Sequence, residues 1–155
     1  MTALAKDTNL AFREGYGIQS KQFIVKNGAT VYQGSRVGII MQGGDKGTII
    51  PWTVVSGRTD MFLGFALFKV VGDGTLKCTV NLSGIELQNV AVTGASTVAT
   101  GVGEEVYATD DGTGLTLTWP GTNQGPVAWI TAFFSSTQFD VRFVVPEVYR
   151  AWLKV

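Results

Sequence analysis

One hairpin sequence constrains the fold of this chain more than any other segment. Residues 103–118 read GEEVYATDDGTGLTLT, in which a short apolar run is followed by a polar turn and then by strict alternation of Leu and Thr. An Asp-Gly pair between two such runs is a strong hairpin signal, because type I′ turns need positive φ at their central residues. The segment contains no histidine, cysteine or lysine. It therefore indicates a structural feature and not a catalytic one.

The rest of the chain follows the same pattern of short strands and turns. Apolar or alternating runs recur about every 8–12 residues with turn signals between them, which predicts an all-β fold, a compact barrel or sandwich. At 155 residues the chain is expected to form one domain. We divide it into an extended N-terminal arm (1–20), a β domain (21–145) and a C-terminal tail (146–155). Pro146 suits the first position of one short terminal helix.

A change of phase is expected near the middle of the β domain. The apolar residues Cys78, Val80 and Leu82 fall on even positions, whereas Ile85 and Leu87 fall on odd positions. Side chains alternate between the two faces of a strand, so an uninterrupted strand would separate the two groups. A bulge or corner at 83–84 would place both groups on the core face.

The charge content argues against several classes of partner. Twelve basic and twelve acidic residues give a formal net charge of zero, and only 15% of the residues are charged. No clustered basic surface of the kind that binds nucleic acid is expected. A surface with few and balanced charges also has little electrostatic repulsion to keep copies of the protein apart. The longest apolar run, 61–68, is far shorter than the roughly 20 residues of a membrane span. With one cysteine and no signal-peptide pattern, synthesis in the cytoplasm is expected.

The sequence offers few groups for chemistry. The absence of histidine excludes Ser-His and Cys-His catalysis and histidine metal sites. Cys78 lies in an alternating apolar run and is expected to be a small buried hydrophobe. Asp110, Asp111 and Thr113 carry oxygens that suit calcium, but without the EF-hand spacing, so an Asp that caps its own backbone is preferred. We expect neither an enzyme nor a required cofactor or metal.

The four tryptophans divide into two groups by position. Trp119 and Trp129 occupy regular strand positions and are predicted to be in the core. Trp52 and Trp152 flank irregular or terminal segments and are predicted to contact a partner.

Several short motifs occur along the chain in a particular order. They are VYQGSRVG at 31–38, FLGFA at 62–66, TVNLSGI at 79–85, GEEVYA at 103–108 with DDGT at 110–113 and LT at 115–116, Gly125 before Val127, and a closing strand at 141–145. In this order they resemble the pattern of small capsid decoration (cement) proteins of tailed bacteriophages and prophages. The resemblance covers roughly residues 25–145.

The resemblance implies both a fold and a function. Such proteins have a compact β-barrel-like fold, sometimes called a β-tulip, and assemble as homotrimers on the outer surface of the capsid. The implied function is a structural virion protein that clamps neighbouring major capsid subunits. The alternative from another class is a carbohydrate-binding β module of a phage fibre or other surface protein, which exposed coplanar tryptophans would favour. A tail-tube or head-completion component is also compatible with the sequence.

The N-terminal arm is the expected attachment device. It is polar but carries spaced apolar residues, which we predict to anchor on a neighbouring subunit or on the shell: Leu10, Phe12, Tyr16 and Ile18. Addition of a strand to an exposed sheet edge is the expected mode, because backbone pairing gives affinity and alternate side chains fill pockets.

Overall fold

A computed structural model of the chain describes residues 12–54, 60–120 and 125–143. Within these ranges the protein forms antiparallel strand pairs and one short helix, which confirms the predicted all-β class. Closure into a barrel, which the family resemblance implies, stays a prediction. Among the described residues, no helix is long and apolar enough to cross a membrane.

The elements follow one another with short connections. The strands are β1 (Phe12–Ile24), β2 (Thr30–Val31), β3 (Arg36–Ile39), β4 (Ile49–Pro51), β5 (Met61–Ala66), β6 (Val70–Val71), β7 (Lys77–Val90), β8 (Glu105–Ala108), β9 (Leu115–Thr116), β10 (Ala128–Ser135) and β11 (Gln138–Phe143), and helix α1 (Val98–Gly101) lies between β7 and β8. Nine of the strands belong to one sheet, and β2 and β6 form a separate pair.

Strand β7 organises the large sheet. The strand order is β4-β3-β5-β7-β11-β10-β8-β9, and β1 also pairs with β7. Asn81 pairs with β1 and β5, whereas Leu87 pairs with β1 and β11. Strands β5 and β11 therefore lie across β7 from β1, at successive positions along it. We call β4-β3-β5 the first half-sheet and β11-β10-β8-β9 the second half-sheet.

The predicted change of phase in β7 is present, but it has a different consequence. Cys78 and Val80 are buried before the change, and Ile85 and Leu87 are buried after it. Gly84 lies between the two groups with a φ of 78°, in the left-handed region that glycine adopts without steric cost. The two groups enter separate hydrophobic clusters instead of one common core face.

Most of the buried apolar side chains fall into two clusters, and β5 contributes to both. The large core contains Trp52, Phe62, Phe65, Ile85, Leu87, Val92, Ala95, Val106, Ala108, Leu115, Val127, Ala128, Ile130, Phe139, Val141 and Phe143. The small core contains Val25, Val31, Val37, Ile49, Leu63, Ala66, Cys78 and Val80. Because β5 contributes to both, the first half-sheet is covered on both faces.

The boundary predicted at Lys21 between arm and domain is not a boundary of secondary structure. Strand β1 is continuous from Phe12 to Ile24, and Arg13 and Ser20 both pair with β7. The described part of the predicted arm therefore belongs to the sheet. The predicted tail and terminal helix at 146–155 lie outside the described residues.

Candidate functional site: the Arg36 cluster and the exposed surface

The predicted hairpin between β8 and β9 is confirmed, although its turn differs from the expected type. The strands are antiparallel, with Ala108 opposite Leu115. The connecting loop runs from Thr109 to Gly114 and is closed by a hydrogen bond from the Thr109 N–H to the Gly114 carbonyl, 2.9 Å. Among the described residues, those with positive φ include neither Gly112 nor Gly114. The turn is thus a longer loop and not a two-residue type I′ turn.

Asp110 holds this loop together from within. Its Oδ1 accepts the N–H of Gly112 at 2.9 Å and the N–H of Gly114 at 2.8 Å, which is the self-capping arrangement expected from the sequence. A Cβ on Gly114 would collide with Thr109 Oγ1 and lie 2.6 Å from Asp110 Oδ2. Within the described ranges, no group of three or more His, Cys, Asp or Glu residues is placed to hold a metal ion.

Arg36 ties the loop to the first half-sheet. This residue begins β3 and is only 2% exposed. Its Nη1 donates to the carbonyls of Asp110 and Gly114, both at 3.3 Å, and lies 3.6 Å from Asp110 Oδ1. Its backbone N–H donates to the Asp111 carbonyl at 2.9 Å. The guanidinium also lies 5.9 Å from the ring centroid of Phe143. We call Arg36, Asp110, Asp111 and Gly114 the Arg36 cluster.

The electrostatics of the Arg36 cluster are those of a structural ion pair. Burial lowers the pKa of Arg36 to about 10, and the negative charges of Asp110 and Asp111 oppose that shift. The guanidinium therefore remains charged at neutral pH and is no proton acceptor. A buried charge requires paired and hydrogen-bonded surroundings, which the loop supplies. The arrangement fixes the hairpin in place and assembles no acid–base pair around a cleft.

Trp52 is buried, which corrects its prediction as a partner contact. It is 1% exposed and lies in the large core, edge-on to Phe62 at 5.7 Å between ring centroids. Its backbone N–H donates to the Arg36 carbonyl, so the chain remains beside β3 after β4 has ended. The indole N–H donates to the Ala108 carbonyl at 2.7 Å. A Cβ on Gly38 would lie 2.8 Å from Trp52 Cε3, so glycine leaves room for the ring.

The other tryptophans also depart from the sequence prediction. Trp119, predicted to be core, is 58% exposed. Strand β9 ends at Thr116, so the alternation that continues to Trp119 is no longer part of the sheet. Trp129 is half-buried on β10, opposite Glu105 of β8. Trp152, predicted to contact a partner, lies outside the described residues.

The predicted anchors of the arm are placed only in part. Leu10 and the side chains of Phe12, Tyr16 and Ile18 lie outside the described part of the chain. The backbone of Phe12 pairs with Leu87, and the pairing of β1 with β7 is irregular between Glu14 and Gln19. Their role in partner binding stays a prediction.

A shallow cleft of about 490 Å³ lies at the end of the first half-sheet. It is lined by Lys26, Asn27, Gly28, Ala29, Ile40, Ile50 and Asp60. The ammonium of Lys26 is 3.1 Å from Asp45 Oδ2 in an exposed ion pair, so the cation is already engaged. The cleft has mixed polar and apolar walls and no pair of groups arranged for proton transfer.

Sequence reasoning missed the exposed apolar side chains, which form two groups. Phe68, Val71 and Leu76 are exposed just before β7, and Val98, Val102 and Phe134 are exposed on α1, the turn after it and β10. Such groups rimmed by charges are typical of interaction surfaces. No protein-family model matches the chain, and no curated protein matches its sequence.

Proposed function

We propose that the protein is a structural virion protein that decorates the outer surface of a tailed-phage capsid and clamps neighbouring major capsid subunits as a homotrimer. The order and spacing of the short motifs between residues 25 and 145 carry this proposal. Their positions in the fold support it, because the motifs at 31–38, 62–66, 79–85 and 103–116 fall on strands or on the connections between them. The motif at 62–66 coincides with β5, that at 79–85 lies within β7, and that at 103–116 spans the β8–β9 hairpin.

The Arg36 cluster supports a mechanical role. A clamp must keep its shape under load, and here the 109–114 loop is fixed to the opposite half-sheet by three hydrogen bonds from Arg36 to loop carbonyls, two from its buried guanidinium and one from its backbone N–H. Buried polar groups that are paired and hydrogen-bonded make a structure rigid; in the cluster the Nη1 of Arg36 is bonded, and its buried Nε has no hydrogen-bond partner. The hydrogen bonds of the cluster join parts of the fold to each other, so we expect the contacts with partners to come from the exposed surface.

The direct test is binding to phage heads. Purified protein is mixed with expanded heads that lack a decoration protein, and the heads are sedimented. We expect saturable binding at a fixed ratio to the shell subunit, together with a rise in the temperature at which the heads release DNA. Unexpanded shells serve as the control and should bind less. Protein that stays in the supernatant with expanded heads at every concentration would count against the proposal.

Carbohydrate binding by a fibre module is the second candidate, and the exposure of Trp119 favours it. Exposed aromatic rings can stack on sugars, but Trp52 is buried and is therefore not available to such a platform. Titration with host-surface oligosaccharides, followed by indole fluorescence, tests this candidate. A saturable change that is lost in Trp119→Ala, without binding to heads, would favour the carbohydrate function.

A further inference from the structure

The chain contains three positions at which an asparagine or aspartate is followed by glycine: Asn27–Gly28, Asp73–Gly74 and Asp111–Gly112. At such a position the backbone nitrogen of the glycine can attack the side-chain carbonyl carbon of the preceding residue and close a five-membered cyclic imide. Glycine favours this attack because it has no Cβ to hinder it. The surroundings of each position decide whether it reacts.

The two aspartates are held in unreactive arrangements. Asp111 is only 2% exposed, and its carbonyl accepts the backbone N–H of Arg36. Asp73 is exposed, but its Oδ1 accepts the N–H groups of Thr75 and Leu76. These hydrogen bonds hold the pKa of Asp73 below its ordinary value, so the group is a carboxylate at neutral pH. An ionised carboxylate is a poor electrophile, and neither position is therefore expected to cyclise.

Asn27 differs from both aspartates because it carries an uncharged amide at an exposed site. Both Asn27 and Gly28 are exposed. The glycine has a φ of 78°, and a Cβ built on it would meet no heavy atom within 4 Å. Each of the other asparagines in the chain is followed by leucine, valine or glutamine. Asn27 is thus the asparagine whose neighbour hinders the attack least.

The backbone nitrogen that must attack is held by a hydrogen bond in the folded chain. The Gly28 N–H donates to the Gly72 carbonyl at 2.9 Å, and the Gly72 N–H donates to the Ala29 carbonyl at 2.7 Å. These bonds continue the β2–β6 pair, which has two residues in each strand and is separate from the large sheet. A two-stranded pair is marginally stable by itself, and exposed elements open at a lower free energy than the core does. Local opening therefore releases the Gly28 nitrogen.

We propose that the native chain converts Asn27 into aspartate and isoaspartate, at a rate set by the opening of the hydrogen bond between Gly28 and Gly72. The Gly28 nitrogen forms a bond to Cγ of Asn27, the bond from Cγ to Nδ2 breaks, and ammonia leaves with the proton of the Gly28 nitrogen. Water then adds to the cyclic imide. Cleavage of the imide bond at Cγ gives aspartate, and cleavage of the imide bond at the main-chain carbonyl carbon gives isoaspartate. The reaction needs only the chain and water, so it does not depend on the proposed decoration function.

Both products add a negative charge to one end of the molecule. A Cβ on Gly74 would lie 3.7 Å from Cβ of Asn27, so the new carboxylate lies beside the turn that contains Asp73. Asn27 also lines the cleft at the end of the first half-sheet. Modified protein therefore presents a more acidic cleft than freshly made protein.

Isoaspartate also changes the path of the main chain. The Ala29 N–H donates to the Lys26 carbonyl at 3.0 Å, and this hydrogen bond closes the turn around Asn27 and Gly28. In isoaspartate the main chain runs through Cγ, which adds one carbon inside the closed turn. The turn cannot keep its present hydrogen bonds with that extra atom, so the isoaspartate form should melt at a lower temperature than the unmodified protein.

Incubation of the purified protein at mildly alkaline pH tests the reaction. Isoelectric focusing follows the more acidic form, and digestion with pepsin at acidic pH followed by mass spectrometry locates the modification. We expect Asn27 to react roughly tenfold or more faster than Asn89, an exposed asparagine that is followed by valine. Asn27→Gln should remove the early acidic form, because its longer side chain must close a larger ring. Asn27→Asp serves as the marker for the aspartate product.

Hydrogen exchange tests the role of local opening. In urea the turn is open at all times, so the reaction at Asn27 should be roughly tenfold or more faster than in the native protein. The factor by which folding slows the reaction should match the factor by which folding slows exchange of the Gly28 amide hydrogen, measured by NMR. The same opening exposes the Gly28 nitrogen in both processes.

Three results would overturn the proposal. The first is a native protein that keeps Asn27 intact over the time in which the unfolded chain converts it fully. The second is an acidic form whose modification maps first to another asparagine. The third is an equal rate at Asn27 in native and unfolded protein, which would show that no opening is needed.

Discussion

Arg36 illustrates how a single residue can decide the position of a whole hairpin. Sequence patterns place arginine on the surface, because charged side chains are rarely buried unless they are paired. The partners of Arg36 are 74 and 78 residues away along the chain, at Asp110 and Gly114. No local pattern links these segments, so the hairpin could be predicted from its own residues but its attachment to β3 could not.

Removal of the Arg36 guanidinium should destabilise the fold strongly. Arg36→Met leaves the carboxylates of Asp110 and Asp111 buried without their cation, and loss of one partner of a buried pair typically costs about 3–5 kcal/mol. Arg36→Lys should also destabilise, since an ammonium lacks the planar fork of donors. Urea unfolding measures the change in the free energy of unfolding. Lys46→Met, at an exposed site, serves as the control and should remain within about 0.5 kcal/mol of wild type; an equal effect in both variants would contradict the assignment.

The hydrogen bonds of Asp73 predict that the stability of the fold decreases at acidic pH. Hydrogen bonds from the Leu76 N–H, the Thr75 N–H and the Thr75 hydroxyl hold the pKa of Asp73 below its ordinary value. A carboxyl whose pKa is lower in the folded state stabilises the fold above its unfolded pKa of about 3.9. That contribution is lost as the pH falls through the folded pKa.

The melting temperature of Asp73→Asn should therefore lie below that of the wild type at neutral pH, and the difference should shrink as the pH falls below about 4. Thr75→Val removes one donor and keeps the backbone N–H groups. It should move the Asp73 titration, followed by NMR of the side-chain carboxyl, part of the way towards the ordinary aspartate value. If the difference in melting temperature between Asp73→Asn and the wild type does not change with pH, the negative charge of Asp73 does not stabilise the turn.

At the scale of elements, β1 shows that a segment with few apolar residues can still form a strand of the sheet. The prediction relied on apolar periodicity, but strand pairing uses backbone N–H and C=O groups that every residue except proline supplies. The polar residues Gln22 and Ser20 pair with β7 in the same register as their apolar neighbours. Helix α1 was missed for a related reason, since its capping box uses Thr97 and Thr100 and not the Ser/Thr with Glu/Gln pattern that is recognised in sequences.

Two truncations separate the role of β1 from that of the residues before it. Deletion of residues 1–11 leaves β1 whole, so the melting temperature should change by no more than a few degrees. Deletion of residues 1–20 removes the strand partners of Asn81, Ser83 and Ile85. It should lower the melting temperature markedly and cause aggregation, because the exposed edge of β7 is a template for pairing with other chains. Scanning calorimetry and light scattering measure both effects.

The outcome of the truncations also bears on attachment to heads. If residues 1–11 include the anchor, their deletion should weaken head binding while the fold stays intact. A 1–20 deletion that keeps the wild-type melting temperature and remains monodisperse would contradict the assignment of β1 to the sheet.

At the scale of the whole molecule, β7 joins the two half-sheets and contributes to both hydrophobic cores. The sequence predicted the all-β class, the β8–β9 hairpin, the burial of Cys78 and the break near Gly84. It did not predict that β7 would have three strand partners, since long-range pairing depends on segments far apart in the chain. Because β7 is shared in this way, neither core can open without disturbing the strand pairs of β7 that support the other core.

The two cores should consequently unfold together. Ile49 lies in the small core and Ile130 in the large core, both almost fully buried, and each Ile→Ala substitution should lower the free energy of unfolding by about 2–5 kcal/mol.

Two probes report the cores separately. In a background in which Trp119, Trp129 and Trp152 are replaced by Phe, indole fluorescence follows Trp52 in the large core. Thiol labelling follows Cys78 in the small core, where burial raises the pKa of the thiol and suppresses its reactivity until the core opens. In the wild type and both variants the two probes should give one denaturant midpoint, as a two-state transition requires. Labelling of Cys78 in Ile49→Ala at a denaturant concentration that leaves the fluorescence native would show that the half-sheets unfold as independent units.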